Sequence, residues 1–323
     1  MKSKLIVIIL IISITICGAS FFIPSGVDQN VSSNSFQNTI TPTPFMPAVS
    51  TPTMQPKPQG VYLTGAGDIS ICGEDGDDQT APLLADIPGY IFALGDNQND
   101  EGEPETFSRC FDASWGQYKD RMIPVVGNHE YFTENACGYF DYFGDAAGQR
   151  GKGYYSRDVG AWHIVVINSI CDEVGGCDPG SEMITWLEND LSTDNHLCTL
   201  AMWHIPRFST GYHGGNDSLD TIWRTVVAHD VELVLNGHEH DYERFTPMDE
   251  NGEVNIVTGT RQIIVGTGGA PLRKQYGNNE NSEVFYSSSH GVLKLFLDYG
   301  YYTWEYIPVN ADGFTDTGTG YCH

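Results

Sequence analysis

Short apolar runs recur along the chain after residue 60, and they are rich in β-branched and aromatic residues. They begin at Val61, Tyr90, Met122, Trp162, Leu197, Val231 and Gln262. Several are apolar at nearly every position, which is typical of strands buried on both faces. Segments with helical spacing lie between them and begin at Thr80, Pro104, Ser181 and Ser218. The alternation of strands and helices predicts an α/β fold.

The segment from residue 291 to residue 309 has a different pattern. GVLKLFLDYG and YYTWEYIPV flank a turn at Tyr299 and Gly300, and both alternate aromatic or apolar residues with polar ones. This alternation predicts an antiparallel hairpin, so we expect a mixed sheet. The sequence has no repeat of fixed period and no G-x-G-x-x-G motif that opens a helix after a strand. Nucleotide-cofactor chemistry is therefore not supported.

Residues 1–59 have the composition of export and linker segments. Two lysines precede an apolar run from Leu5 to Ile16, which predicts a signal peptide or an N-terminal anchor over residues 1–20. Cleavage near Ala19 and Ser20, lipidation at Cys17, and retention as a membrane anchor are the alternatives. Residues 21–59 are rich in Ser, Thr and Pro and are expected to form a disordered linker. Residues 60–323 are then expected to form one large domain.

The chain is strongly acidic, with a formal net charge of −26 at pH 7. A surface of this sign repels a nucleic-acid backbone, so we expect no nucleic-acid partner. The charge is typical of a protein kept soluble in a secreted or extracytoplasmic setting. The only membrane contact that the sequence suggests is the N-terminal segment, kept as a tether to the cell surface. The sequence does not determine the oligomeric state.

Seven cysteines follow Cys17, which is an odd number for a chain bound for an oxidising compartment. Cys198 lies in an apolar strand segment, so we expect it to be the free thiol. The other six would then form three disulfides. Cys171 and Cys177 close a short loop with two glycines and are expected to pair. The remaining four cysteines allow three pairings, and the sequence does not choose among them.

Polar residues directly follow five of the apolar runs, and a glycine precedes most of them. They are Asp68, Asp96, Asn128 with His129, His204, and His238 with His240. Ligands bind to open α/β sheets outside the carboxyl ends of the strands, and glycine allows the sharp turn that such a site needs. We therefore expect these side chains to converge on one crevice.

The donor atoms of this set suit metal ions. Two carboxylates, one amide oxygen and at least three imidazoles favour first-row metals over calcium. One ion needs fewer ligands than this, whereas two ions about 3.5–4 Å apart, sharing a carboxylate, would use the whole set. Such a pair clamps the attacking and leaving oxygens in phosphoryl transfer. The pattern therefore predicts hydrolysis of phosphate esters.

The motifs GDIS, GDNQN, GNHE, AMWH and GHEHDYER occur in this order at the strand ends. Through them, residues 61–307 resemble the calcineurin-like metallophosphoesterases, and among these the purple acid phosphatase group. The resemblance implies a four-layer α/β/β/α sandwich with two mixed β-sheets, and a catalytic domain over residues 60–323. It implies a metal-dependent phosphoric ester hydrolase that is acid phosphatase-like. Water activated by two metal ions would attack a small phosphomonoester.

The same resemblance implies roles for individual residues. The metal ligands would be Asp68, Asp96, Asn128, His204, His238 and His240. Asp68 and His240 would hold one ion, Asp96 would bridge both, and the other three would hold the second ion. His129 would contact the phosphate or protonate the leaving oxygen. His213, in a glycine-rich loop, would contact the substrate.

One position departs from the purple acid phosphatase pattern. Asn99 stands three residues after Asp96, where that group has an iron-binding tyrosine. Without the phenolate no purple colour is expected, and the two metal ions could be iron, manganese or zinc. The alternatives are a phosphodiesterase that uses the same site, or a catalytically silent, surface-tethered binding module. The remaining histidines lack a strand-end glycine and are expected to be structural or solvated; they are His163, His196, His229, His290 and His323.

Overall fold

The computed structural model describes residues 60–311 and 313–323, and within these residues thirteen strands form two sheets. The first sheet has six strands, in the order β13 (Asp316–Tyr321), β12 (Tyr301–Pro308), β11 (Gly291–Asp298), β1 (Val61–Ala66), β2 (Tyr90–Leu94) and β3 (Met122–Val125). The second has seven, in the order β10 (Ser282–Tyr286), β8 (Tyr242–Phe245), β9 (Arg261–Val265), β7 (Leu233–Asn236), β6 (Cys198–Met202), β5 (Trp162–Val166) and β4 (Tyr155–Val159).

Both sheets are mixed, as the sequence predicts. In the first sheet β1, β2 and β3 are parallel, and β11, β12 and β13 are antiparallel. In the second sheet β5, β6, β7 and β9 pair in parallel. Strand β4 pairs antiparallel with β5, β8 pairs antiparallel with β9, and β10 pairs antiparallel with β8. All seven predicted apolar strands and the β11–β12 hairpin are confirmed. The sequence pattern did not predict β4, β8, β10 and β13.

The two sheets share a buried core, so the fold is the expected four-layer sandwich. Leu63 and Phe92 of the first sheet belong to the same apolar cluster as Trp162 and Leu200 of the second sheet. Alternate residues on the other face of the second sheet, such as Ala201 and Val165, belong to a second cluster. The helices are α1 (Gly76–Thr80), α2 (Pro104–Thr106), α3 (Cys137–Phe143), α4 (Glu182–Thr193) and α5 (Asp220–Ala228).

The predicted helix from Ser181 is confirmed as α4. The Ser181 side chain caps its start by accepting a hydrogen bond from the Ile184 N–H. Apolar residues at helical spacing are buried against the second sheet and α5, and include Met183, Leu187 and Leu191. The predicted helix from Ser218 is α5, preceded by one 3₁₀ turn. These two helices cover the face of the second sheet that points away from the first.

Two helix predictions need correction. The segment from Thr80 is a 3₁₀ turn over Ala81–Leu84, and α1 lies before it. Pro82 lacks the N–H that would continue the α-helical hydrogen bonds, which explains why α1 ends at Thr80. The segment from Pro104 begins as α2 and continues as a π-helical turn over Phe107–Phe111.

Three disulfides join cysteines of the described residues, and one expectation about them is wrong. Cys171 pairs with Cys177, as predicted, and Cys72 pairs with Cys110. Cys198 is not a free thiol, because it pairs with Cys322. Cys198 is fully buried at the start of β6, and the end of β13 returns to it from the other sheet. No cysteine among the described residues is free.

The predicted signal or anchor over residues 1–20 and the predicted linker over residues 21–59 lie outside the described residues. Within residues 60–311 and 313–323, no helix is long and apolar enough to cross a membrane.

Candidate metal centre

The carboxyl ends of strands from both sheets meet at one edge of the sandwich. Asp68 and Asp96 follow β1 and β2, and Asn128 follows β3 in the first sheet. His204 follows β6, and His238 follows β7 in the second sheet. The structure brings all six sequence-predicted ligand positions, including His240, to this edge.

Three of these side chains surround His204. Its Nε2 lies 3.3 Å from Asp96 Oδ2, 3.1 Å from Asn128 Oδ1 and 3.3 Å from His238 Nδ1. Donor atoms of Asp96, His204 and His238 all lie within 4.8 Å of one another. Such a cluster of nitrogen and oxygen donors is the arrangement expected of metal ligands.

Asp68 and His240 form the adjacent part of the centre. Asp68 Oδ1 lies 3.5 Å from His240 Nε2, and Asp68 Oδ2 accepts a hydrogen bond of 2.7 Å from the His238 N–H. Asp68 is fully buried, and its Oδ1 has no hydrogen-bond partner. A buried carboxylate oxygen without a donor is costly unless a cation compensates it.

The orientation of two imidazoles leaves one nitrogen of each turned toward the centre. His204 Nδ1 lies 2.7 Å from the Leu94 carbonyl oxygen, and His240 Nδ1 lies 2.9 Å from the Pro271 carbonyl oxygen. We assign the proton to Nδ1 in both rings, because a carbonyl oxygen can only accept. The Nε2 lone pairs then face the carboxylates, as in metal-bound histidines whose other nitrogen donates to the protein.

The electrostatics of the centre are those of a site that needs positive charge. Burial raises the pKa of Asp68 well above its ordinary value. Burial opposes protonation of His204, but Asp96 and Asp68 outweigh it and raise the His204 pKa to about 10. Burial lowers the pKa of His238 to about 2 and that of His240 to about 4, which keeps both rings neutral. His238 and His240 are therefore in the neutral form that a metal ion requires, whereas His204 would release a proton when it binds a metal.

The backbone at three of these positions is strained. Asp68, Asp96 and His238 have φ angles of 56°, 47° and 71°, in the left-handed region that non-glycine residues rarely adopt. Strain of this kind persists where the surroundings enforce it, and it concentrates at functional sites. Gly127 is required for the same close packing, because a Cβ there would lie 2.2 Å from Asp96 Oδ1.

His129 lies beside the centre and not within it. Its Nε2 is 3.7 Å from Asp96 Oδ2, and its Nδ1 is 2.7 Å from the Asp100 carbonyl oxygen. The side chain is 30% exposed, and its ring contacts Phe132, whose own exposure is 64%. A molecule that approached the centre from solvent would therefore meet His129.

His213, for which the sequence predicts a substrate contact, lies at the rim of the centre beside His238. Its ring stacks on that of His238, with centroids 4.5 Å apart. Nη1 of Arg273 lies 3.0 Å from His213 Nε2, and this guanidinium also covers the ring of Tyr212. Sequence reasoning missed Arg273, because it follows a glycine-rich segment far from the recognised motifs. It gives the rim a positive charge beside the buried carboxylates.

Glu130 is a second residue whose role the sequence did not reveal. Its carboxylate is fully buried and accepts backbone N–H groups of Gly127, at 2.6 Å, and of Asp96, at 3.1 Å. It also accepts the Asn97 N–H at 2.7 Å. Burial and the nearby Asp96 raise the Glu130 pKa to about 7. The available signal was the GNHE motif, in which Glu130 follows the candidate ligand and catalytic residues.

Glu239 has a similar role at the other rim. It lies between His238 and His240, its side chain is fully buried, and its Oε1 accepts the His213 N–H at 2.8 Å. This contact holds the glycine-rich loop against the centre. The sequence did not predict a role for Glu239, which lies between the two candidate ligand histidines.

Comparison with known proteins identifies the group to which this arrangement belongs. The family model described as calcineurin-like phosphoesterase matches residues 63–242. The chain belongs to the calcineurin-like phosphoesterase family. The match runs from β1 to β8 and includes all six candidate ligand positions. Metal binding and phosphoester chemistry are properties of this family.

Relatives of this chain include plant purple acid phosphatases. Purple acid phosphatase 18 of Arabidopsis thaliana is 26% identical over 215 residues, which cover 63% of this chain and 47% of the relative. Probable inactive purple acid phosphatase 1 of the same plant is 23% identical over 276 residues, 70% of this chain and 42% of the relative. A nucleotide pyrophosphatase/phosphodiesterase of Hordeum vulgare is 23% identical over 264 residues, 67% of each chain. The chain spans about half the length of the Arabidopsis relatives.

Solved structures agree on the fold. The purple acid phosphatase PPD1 of yellow lupin (Lupinus luteus) matches with a TM-score of 0.60 and 19% identity, covering 81% of this chain and 54% of that chain. GAP50 of Plasmodium, described as the anchor in the inner membrane complex, matches with a TM-score of 0.63 and 15% identity, covering 82% of this chain and 90% of that chain. These likenesses establish the metallophosphoesterase fold.

Proposed function

We propose that this chain is an exported phosphoesterase that hydrolyses phosphomonoesters with two metal ions. The observation that carries the proposal is the convergence of six donor side chains at the strand ends, with the buried Asp68 Oδ1 left without a partner. The family supports metal-dependent phosphoester hydrolysis. The preference for monoesters and the dinuclear site belong to the proposal.

The donor set fits two divalent ions. Asp68 and His240 would hold one of them, and Asp96 would bridge both. The second ion would be held by Asn128, His204 and His238. Carboxylate, amide and imidazole donors suit manganese, zinc or iron, and the missing phenolate at Asn99 removes the donor that favours iron(III). When bound, the two ions would supply an acidified water nucleophile and positive charge beside the phosphoryl group.

The surrounding residues supply the rest of the chemistry. His129 presents Nε2 at the solvent side of Asp96, where it can donate a proton to the leaving oxygen. Arg273 and His213 form the opposite rim, where their N–H groups can bind phosphoryl oxygens. Phe132 and Tyr212 are more than half exposed beside these two rims and can contact an apolar leaving group.

The proposed organisation of the chain follows the sequence. Residues 1–20 act as a signal peptide or anchor, residues 21–59 as a linker, and residues 60–323 as the catalytic domain. Three disulfides in the described part support export, because disulfides persist mainly in oxidising compartments.

The test is an Asp96→Ala variant, compared with Asp86→Ala, which changes an exposed aspartate away from the centre. Purified proteins are analysed for metal content and for hydrolysis of an aryl phosphate. We expect Asp96→Ala to lose both and Asp86→Ala to keep both. Retention of full metal content or of hydrolysis by Asp96→Ala would overturn the proposal.

A phosphodiesterase is the second candidate, and the Hordeum vulgare relative named as a nucleotide pyrophosphatase/phosphodiesterase favours it. Diester and monoester hydrolysis need similar metal clamps, so the centre alone does not separate them. Rates on an aryl phosphate and on the matching diaryl phosphate, measured with one enzyme preparation, decide between the two. A faster diester reaction would replace the monoesterase assignment.

A catalytically silent binding module is the third candidate, because relatives named as probable inactive purple acid phosphatases also match the chain. Normal metal content without turnover on either ester class would favour it. Turnover that depends on Asp96 would exclude it.

A further inference from the structure

A second group of titratable side chains lies at the other end of the second sheet from the metal centre. It consists of Asp158, His163, Asp190, Asp194 and His196, and we call it the histidine–aspartate cluster. His163 is the second residue of β5, and His196 precedes β6. The candidate ligands of the metal centre follow the carboxyl ends of the parallel strands, whereas this cluster lies at their amino ends. The cluster is therefore separate from the phosphoesterase site.

Four donor atoms of the cluster form a closed ring. His163 Nδ1 lies 2.9 Å from Asp158 Oδ1 and 3.8 Å from Asp194 Oδ1. His196 Nδ1 lies 2.6 Å from Asp194 Oδ1 and 3.9 Å from Asp158 Oδ1. Nitrogen and oxygen donors thus alternate around a common point.

Four separations between these donor atoms can be compared with those of a tetrahedral zinc site. Zinc lies about 2.0–2.2 Å from imidazole nitrogen and carboxylate oxygen, so neighbouring ligands of a tetrahedral site are about 3.4 Å apart. The four measured separations lie on both sides of this value, from 2.6 Å to 3.9 Å. Donor atoms of Asp158, His163 and His196 all lie within 4.8 Å of one another, and Asp194 is adjacent to both histidines. Two imidazoles and two carboxylates also favour zinc over calcium or magnesium, which prefer all-oxygen sites.

The outer contacts of His163 are those of a metal-bound histidine. Its Nε2 lies 2.9 Å from Asp190 Oδ2, and the Asp190 carboxylate also accepts the Ser156 hydroxyl at 2.7 Å. A carboxylate that accepts the second ring nitrogen fixes the orientation of the imidazole and strengthens it as a ligand. Asp158 and His163 are direct cross-strand partners of β4 and β5, so the backbone holds the ligand pair in register.

The fold also concentrates negative charge here. Asp190 lies in the last turn of α4, and Asp194 is its C-cap. The last turn contains no basic residue, although the carboxyl end of a helix favours positive charge. A cation within the cluster would compensate both aspartates and the helix end.

Solvent can reach the cluster from one side. His163 and Asp194 have side chains that are 9% and 11% exposed, which holds them in place. Asp158 is 62% exposed and His196 is 30% exposed, so an ion can enter between them. His163 and Asp194 are therefore held by their surroundings, whereas Asp158 and His196 remain accessible to solvent.

We propose that the histidine–aspartate cluster binds one zinc ion through His163, His196, Asp158 and Asp194. The ion would join the β4–β5 edge, the end of α4 and the loop before β6. It would act as a structural link, because all four positions are taken by protein ligands and none is left open for a substrate. The inference does not depend on the proposed phosphoesterase activity.

The experiment compares zinc content after dialysis of the full chain against micromolar free zinc. The test variant is His196→Gln, and the matched control is His229→Gln, which lies at the end of α5 outside both clusters. We expect His196→Gln to hold one zinc equivalent fewer than the wild type and His229→Gln to hold the same number. Hydrolysis of an aryl phosphate by His196→Gln should stay within about twofold of the wild type.

Two further variants keep the result decisive. Asp158→Asn changes the most exposed ligand and gives the same comparison if His196→Gln does not fold. Asp96→Ala, which removes the bridging residue of the phosphoesterase centre, should still take up one zinc equivalent that is lost when His196→Gln is added. Equal zinc content in the wild type, His196→Gln and Asp158→Asn would overturn the proposal and leave an ion-pair network without metal.

Discussion

The Glu130 carboxylate lies behind Asp96 and accepts its backbone N–H, with Asp96 N and Glu130 Oε2 3.1 Å apart. The same oxygen accepts the Gly127 N–H at 2.6 Å. One buried side chain therefore fixes the loops after β2 and β3, which carry Asp96 and Asn128. The position of Asp96, the candidate bridging ligand, therefore depends on Glu130, which does not itself face the centre.

Glu130→Gln should weaken the fold and the centre together. An amide group accepts at only one of its two atoms, so buried N–H groups would lose a partner at about 1–3 kcal/mol. We expect Tm to fall by about 2–4 °C for each kcal/mol lost, together with a lower metal content. Glu134→Gln, at an exposed position nearby, is the control. Equal Tm and metal content in both variants would contradict this role.

His129→Asn should slow hydrolysis without emptying the metal site. Loss of a positioned proton donor reduces rates by about 10²–10⁴-fold, and His129 lies outside the ring of donors around His204. The measurement is kcat on an aryl phosphate, together with elemental analysis of the same preparation. Loss of metal in step with activity would instead make His129 a ligand.

Arg273→Gln should weaken substrate binding more than turnover. Arg273 contacts His213 at the rim and would form charge-assisted hydrogen bonds with phosphoryl oxygens. Removing one such bond costs about 1.5–3 kcal/mol, so KM should rise by at least about tenfold. Lys274→Gln, which changes the exposed neighbouring cation, controls for net charge. Equal KM in both variants would exclude a direct contact.

The protein loaded with iron should lack the purple colour of tyrosinate-bound iron. Asn99 replaces the phenol donor, its side chain is buried, and its Oδ1 has no hydrogen-bond partner. Absorption spectra of the iron-loaded wild type and of an Asn99→Tyr variant give the comparison. A strong visible charge-transfer band in the wild type would show that another tyrosine binds the metal.

Glu232 should make stability depend on pH. Burial raises its pKa to about 7 from 4.5, although the Thr199 and His323 N–H groups favour the ionised form. The native state therefore holds this proton more tightly than the unfolded state. The contribution of Glu232 to the free energy of unfolding falls as pH rises from about 4.5 to about 7 and is then constant.

Denaturant titrations at pH 5 and pH 8 test this expectation. The wild type should lose more stability across this interval than Glu232→Gln, which does not titrate. Glu188→Gln, on the exposed face of α4, should follow the wild type. Parallel behaviour of the wild type and Glu232→Gln would mean that the Glu232 carboxyl titrates normally.

The sequence predicted the elements that have a strong apolar pattern, and it missed those whose pattern is polar. Strand β13 reads DTGTGY, yet it pairs with β12 because Gly318 and Gly320 leave room for the rings of Trp304 and Tyr302. Strand β8 contains Glu243, which is buried because Thr210 and Ser282 donate hydrogen bonds to it. Such compensation between distant residues is not visible in a local pattern.

The same limit applies to the candidate centre. Asp68, Asp96 and the strand-end histidines were predictable, because each follows an apolar run and parallel strands end at one edge. Glu130 and Arg273 were not, because their roles depend on loop contacts from other parts of the chain. The disulfide of Cys198 was not predicted for the same reason, because its partner Cys322 follows a strand of the other sheet.

The Cys198–Cys322 bridge has a consequence for recombinant production. Cys171 and Cys177 lie much nearer to Cys198 in sequence and are synthesised long before Cys322. Oxidation that outpaces the docking of β13 would trap Cys198 with one of these earlier thiols, and reshuffling of such bridges takes seconds to hours. A glutathione buffer or a disulfide isomerase during refolding should therefore raise the yield of correctly disulfide-bonded protein well above that of rapid air oxidation.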